Sequence, residues 1–151
     1  MNSLITFLSK AIATVFFIGY APFAPGTFGS LAGLIFVWLL KPNVPWQLII
    51  MISGFIVGTF CAHSTEISLG EKDSKRIVVD EFIGYFVSIA FLPQIPGYLI
   101  AAFLLFRFFD IIKPPPIRDL EKAVSGGMGI MLDDMLAGLF TNIILQCWRL
   151  L

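Results

Sequence analysis

The chain has 151 residues, 58% of them apolar and 13% charged, with ten acids balancing ten bases. A soluble domain carries roughly 25% charged residues; this deficit, with sixteen Phe and a mean hydropathy of +0.91, excludes an ordinary soluble domain and an intrinsically disordered one. Zero net charge removes the long-range field that nucleic acid requires, so the composition predicts one membrane-embedded domain over 1–151 with the lipid bilayer as its surroundings.

Apolar runs between turn residues predict an all-α polytopic protein of about six apolar helical segments, some short or re-entrant, near 4–20, 28–40, 46–65, 81–92, 98–110 and 133–150. In lipid the backbone must satisfy its own hydrogen bonds, so these runs read as helices rather than isolated strands. The first carries Lys10 and continues past any cleavage point, unlike a signal peptide. After it, Pro25-Gly26-Thr27-Phe28-Gly29-Ser30 is a glycine-containing turn feeding a helix N-terminus, where backbone donors favour anions. Gly26, Thr27 and Ser30 are therefore candidate phosphate contacts, although Thr27 and Ser30 also suit plain helix caps.

The third segment carries Cys61 and the only histidine, His63. Ile67 stands six positions after Cys61, where a cysteine-phosphatase loop needs Arg, and Cys61 and Cys147 have no metal-ligand spacing, so both read as packing residues. His63 is an accessory candidate or a hydrogen-bonded core residue. A type-2 phosphatidic acid phosphatase needs two histidines and is excluded. The aspartyl-phosphate and CDP-alcohol phosphotransferase signatures are missing as well.

All ten acids and seven of the ten bases lie between positions 66 and 134, in two blocks at 66–81 and 107–134. The blocks flank an uncharged stretch that contains Pro93 and Pro96. Two prolines would disrupt a continuous helix, at about 3 kcal/mol for each interior one. A hairpin of 81–92 and 98–110 avoids that cost and brings Asp80 and Asp110 to one membrane face. The loops on that face hold seven bases and the opposite turns only Lys41, which places the motif face in the cytoplasm.

Val79-Asp80-Glu81-Phe82-Ile83-Gly84 puts two carboxylates at the mouth of a helix, Asp110 follows Arg107 by one turn, and Asp133-Asp134 follows Gly126-Gly127-Met128-Gly129. Ionisable groups at membrane segments are costly and mark function. Five acids (Asp80, Glu81, Asp110, Asp133 and Asp134) converging on one face suit a hard divalent cation, Mg2+ above all. The same acids are general-base candidates for metal-assisted hydrolysis, with helix capping as the competing role for Asp133 and a favourable place at a helix N-terminus as that for Asp80 or Glu81. Arg107, Lys113 and Arg118 are candidate phosphate contacts, with headgroup anchoring as the competing role for Lys113, Arg118 and Arg76. Pro114-Pro115-Pro116 drives Lys113 out of helical conformation. Glu71, Asp73, Glu121 and Lys122 read as solvated loop surface.

These motifs together resemble the phosphatidylglycerophosphatase A family. The matching residues are Ala24-Pro25-Gly26-Thr27-Phe28-Gly29-Ser30-Leu31, His63 with Thr65, the Val79–Gly84 motif, Phe106-Arg107-Phe108-Phe109-Asp110-Ile111-Ile112-Lys113-Pro114, and the run from Gly126 to Asp134, in family order over about 110 residues. Pro115 departs from the usual aromatic after Lys-Pro. The resemblance implies an all-helical bacterial inner-membrane enzyme. Such an enzyme removes the terminal phosphate of phosphatidylglycerol phosphate with Mg2+ and so makes phosphatidylglycerol in phospholipid biosynthesis. Asp80, Glu81, Asp110, Asp134 and Lys113 are then the expected catalytic set. A phosphatase of another membrane lipid phosphate, such as a polyprenyl pyrophosphate, and a small transporter or scaffold are the competing readings.

Overall fold

In a computed structural model, which describes residues 3–72 and 74–151, the described chain forms seven α-helices. They are α1 (Ser3–Ala13), α2 (Pro25–Leu40), α3 (Val44–Leu69), α4 (Val79–Ile89), α5 (Pro96–Ile112), α6 (Ile117–Ala123) and α7 (Gly126–Leu150), with a 3-10 turn at Ile18–Tyr20. Among the described residues there is no strand. Asp73 lies outside them.

Helix α4 is the hub. It packs against α2, α3, α5 and α7, and every residue from Ile83 to Ile89 is buried, the pattern of a helix apolar on all sides. Glycines allow this crowding. A Cβ on Gly84 would lie 2.7 Å from the Phe106 ring and 2.9 Å from the Asp134 carbonyl, and one on Gly138 would lie 3.0 Å from Val87 Cβ and meet the Gly84 carbonyl. Small residues at a helix crossing let two backbones approach closely. They set α4 against α7 here.

At eleven residues, α4 is about 16 Å long, and its C-terminal carbonyls are left inside the protein without helical partners. Side chains of α7 supply them. Asn142 Nδ2 donates to Ser88 O (3.2 Å) and Ala90 O (2.8 Å), Gln146 Nε2 to Ala90 O (3.3 Å), and Arg149 Nη1 to Phe91 O (3.1 Å). Buried Gln47 of α3 accepts from Phe91 N at 3.2 Å, and its own amide donates to Pro42 O at 2.9 Å. The chain then reverses into α5, with Pro96 in its first turn, and the Tyr85 hydroxyl donates to Leu99 O at 3.0 Å. This is the hairpin expected from Pro93 and Pro96.

Three boundaries differ from the sequence expectation. The 4–20 run is not one helix: α1 stops at Ala13, and Val15, Phe16 and Phe17 take positive φ. The Thr14 hydroxyl donates to Lys10 O and accepts from Phe17 N, and Ala13 O accepts from Val78 N, so local and tertiary bonds replace the next helical turn. Ile117–Ala123, within the second charged block, folds into α6. Helix α7 starts at Gly126 rather than at 133, because Gly127 packs against Thr59 and His63 of α3 and Gly129 against Val124. Asp133 and Asp134 are thus two turns inside α7, and a capping role for Asp133 is excluded.

Helices α3 and α7, of 26 and 25 residues, are long and apolar enough to cross a membrane, each exceeding the roughly 30 Å hydrocarbon layer. Of the about six apolar segments expected, these two have the length of a span, and the other apolar helices are shorter. The outer surface remains strongly apolar, with Ile49, Ile52, Ile56 and Phe60 of α3, Ile100 and Leu104 of α5, and Ile143 and Ile144 of α7 exposed. A surface of this kind needs a covering phase. Trp38, Trp46 and Trp148 are all exposed, at the ends of α2, α3 and α7 remote from Asp80, where aromatic residues suit a headgroup layer.

Crowding at Gly84 gives a direct test. Gly84→Ala forces α4 away from α7 and Phe106 and should cost about 1–3 kcal/mol, read as a lower Tm in detergent. Gly97→Ala, with nothing within 4 Å of the added carbon, should leave Tm unchanged.

Candidate active site

The site lies where α2 and α4 begin, α5 ends, and α7 passes two turns from its start. A cavity of about 300 Å³ is lined there by Ala24, Pro25 and Gly26, by Ser74, Lys75 and Ile77, and by Asp80, Glu81, Arg107, Asp110, Lys113, Asp133 and Asp134. The five acids singled out by sequence thus share one cavity. Gly26 is required for the close approach of α2, since a Cβ would collide with Glu81 Oε1 and lie 3.2 Å from Arg107 Nη1.

Within the cavity the acids divide by their partners. Asp110 pairs with Arg107 on the same face of α5, and Arg107 Nη1 also lies 3.9 Å from Glu81 Oε1. Lys113, with positive φ at the C-terminal cap of α5, donates to Asp133 Oδ2 at 2.5 Å and to Glu121 Oε1 at 2.9 Å. Its partial burial disfavours the charge, but bonds to Asp133 and Glu121 outweigh this and hold its pKa above the ordinary lysine value. Asp80, Glu81 and Asp134 form the third group. One carboxylate oxygen from each lies within 4.8 Å of the others, and Asp80 Oδ1, Glu81 Oε2 and Asp134 Oδ2 are buried without a hydrogen-bond partner among the described residues.

A buried acceptor without a donor costs free energy, and three together repel one another. A hard cation relieves both at once. Three all-oxygen ligands beside an open cavity fit Mg2+, which keeps waters and phosphate oxygens in its remaining positions.

The remaining sequence candidates lie around this centre. Thr27 follows Gly26 in the first turn of α2 but does not line the cavity, and the Ser30 hydroxyl is buried and donates to Gly26 O at 2.9 Å. Arg118 is exposed, with Nη2 3.4 Å from Ile112 O, closing the end of α5. His63 faces Glu66 at 3.9 Å and borders a separate depression with Gly126. Arg76 stacks over Tyr20 at 5.5 Å. Glu121 is more than solvated surface, since it shares Lys113 with Asp133. Lys75 lines the cavity and was not singled out by sequence, because no local pattern separates it from Lys72 in the same charged block.

Residues 11–149 match the phosphatidylglycerophosphatase A family. Phosphatidylglycerophosphatase A of Escherichia coli (strain K12) is 42% identical over 133 residues, covering 86% of this chain and 77% of that protein. Its Haemophilus influenzae counterpart of the same name is 39% identical, covering 84% and 82%. A Bacteroides thetaiotaomicron protein, provisionally named a phosphatidylinositol-3-phosphatase, is 38% identical and covers 95% of both chains. No solved structure matches.

The Lys113–Asp133 pair predicts an asymmetry. Lys113→Met strands Asp133, whose side chain is 8% exposed, and should destabilise the protein by about 1–3 kcal/mol. The double variant Lys113→Met/Asp133→Asn should recover most of the lost Tm. No recovery would mean that the two side chains do not depend on each other.

Proposed function

Because the chain belongs to the phosphatidylglycerophosphatase A family, we propose that it hydrolyses the terminal phosphate of phosphatidylglycerol phosphate to leave phosphatidylglycerol, a step of phospholipid biosynthesis. The observation that carries this reading is the group of orphaned oxygens on Asp80, Glu81 and Asp134, beside a cavity whose wall holds Arg107 and Lys113. In this reading Asp80, Glu81 and Asp134 would hold Mg2+, with Asp110 and Asp133 steering the two bases beside the site. When bound, the ion supplies positive charge that screens the phosphate and lowers the pKa of water.

The chain's own residues do the rest. Arg107 and Lys113 turn their remaining N–H groups to the non-bridging phosphate oxygens, with the Gly26 end of α2 closing the other wall. Thr27 stands next to that wall as a helper, and Arg118, Ser30 and His63 act at a distance through the elements they hold. A carboxylate of the set accepts the proton of the attacking water as its oxygen bonds to phosphorus. The phosphorus–glycerol oxygen bond then breaks, and that carboxyl returns its proton to the leaving oxygen. Acyl chains stay beside the apolar outer faces throughout.

The same chemistry serves a phosphate monoester on an inositol lipid, a second reading favoured by the name of the Bacteroides relative. Phosphate release from the two lipids, assayed side by side in detergent, separates them. Phosphatidylglycerol phosphate should be turned over faster, EDTA should abolish release, and added Mg2+ should restore it. Asp80→Asn and Asp134→Asn should each lose more than about 100-fold in kcat at unchanged membrane insertion. Near-normal activity in both would overturn the metal assignment.

We further propose a multi-pass arrangement in the bacterial inner membrane with the cavity facing the cytoplasm, supported by the bases around the cavity and the exposed tryptophans at the opposite end. Single cysteines at the exposed positions 71 and 122, in a chain lacking Cys61 and Cys147, should resist an impermeant thiol reagent in intact cells and react after permeabilisation. Reaction of either from outside would overturn the topology.

A further inference from the structure

Three bases line the cavity: Lys75, Arg107 and Lys113. Two are already neutralised, Arg107 by Asp110 and Glu81 and Lys113 by Asp133 and Glu121. Lys75 has no ion pair among the described residues. The charge balance makes this difference matter. A divalent cation on Asp80, Glu81 and Asp134 still leaves that group one negative charge in excess, and a phosphate monoester brings up to two more. The approach of substrate therefore needs a cation that the protein has not already spent.

Lys75 is also held in place on both sides. Ser74, buried, donates to Glu71 Oε2 at 2.8 Å, and Ser74 O accepts from Ile77 N at 2.9 Å. On the other side, Arg76 stacks on Tyr20, Gly19 packs on the Arg76 carbonyl so closely that no Cβ would fit, and Val78 N bonds Ala13 O. The break in α1 at Thr14 makes these last contacts available. The loop thus fixes the backbone of Lys75 at the cavity rim and leaves only its flexible side chain to move.

We propose that Lys75 is a substrate-contacting residue that reaches from the rim onto the phosphate monoester and supplies the uncompensated positive charge of the site. The proposal rests on the cavity being the phosphatase site. A lysine ammonium suits this position because it binds phosphate as a point charge without fixed geometry.

The test compares Lys75→Ala, Lys75→Arg and Lys72→Ala. Lys72 belongs to the same loop but does not line this cavity, so it controls for general attraction of anionic lipid. Lys75→Ala should raise KM for phosphatidylglycerol phosphate roughly tenfold with a smaller effect on kcat, as expected for loss of one charge-assisted bond. Lys75→Arg should restore most of it, and Lys72→Ala should match the wild type. Calorimetric titration of inorganic phosphate in the presence of Mg2+ reads the same contact without turnover, and Lys75→Ala should weaken it by a similar factor. An unchanged KM and an unchanged phosphate affinity in Lys75→Ala would overturn the proposal. Equal losses in Lys75→Ala and Lys72→Ala would overturn it too, in favour of diffuse attraction. Absence of turnover in the wild type would overturn the phosphatase reading instead, while the phosphate titration still decides for or against Lys75.

Discussion

The close crossing of α4 and α7 is the constraint on which the rest of the structure depends. Gly84 and Gly138 bring the two backbones together, and only that approach sets Asp80 and Glu81 at the start of α4 against Asp134 inside α7. A side chain at either glycine would part the helices and the carboxylates with them. The remaining helices follow from this crossing. Helices α2, α3 and α5 enclose α4, and the glycine at position 26 lets α2 descend onto Glu81.

Electrostatics then divides the cavity into parts that serve different ends. Burying five carboxylates in one place is affordable only if each finds a positive partner. Asp110 and Asp133 find theirs within the chain, while Asp80, Glu81 and Asp134 keep oxygens without donors. The protein thus completes two of its ion pairs during folding and leaves one group of carboxylates with oxygens that have no donor among the described residues. In the proposed function, free energy withheld from the fold at that group is what binds the cation and, through it, the phosphate.

Much of this was legible in the sequence, for reasons that can be named. Pro93 and Pro96 announce the hairpin because proline cannot continue a helix. The acids stand out because charge in an apolar chain has few benign explanations. The break after Ala13 was not legible, since the bond that ends α1 comes from Val78, distant in sequence. Neither was the early start of α7, because nothing in the local pattern shows that α3 packs on Gly126 and Gly127. Glu121 and Lys75 look like ordinary loop charges, and only the fold brings one to Lys113 and the other to the cavity rim. Local pattern marked residues whose chemistry is costly wherever they sit, and tertiary contact selected among those that are cheap on a surface.

The hydrogen bonds from Asn142, Gln146 and Arg149 to the end of α4 bear on how the molecule is made. Helix α7 meets α4 at both ends, with Asp134 at the cavity and these three side chains at the reversal. It also leaves the ribosome after α1 to α6. Until it arrives, the carbonyls of Ser88, Ala90 and Phe91 lack these donors and Asp80 and Glu81 lack their third carboxylate. The hairpin must therefore wait, half-provided for, at the membrane during synthesis. Completion of the fold and assembly of the three-carboxylate group become one event, so a chain cut short before α7 lacks that group as well as the helix.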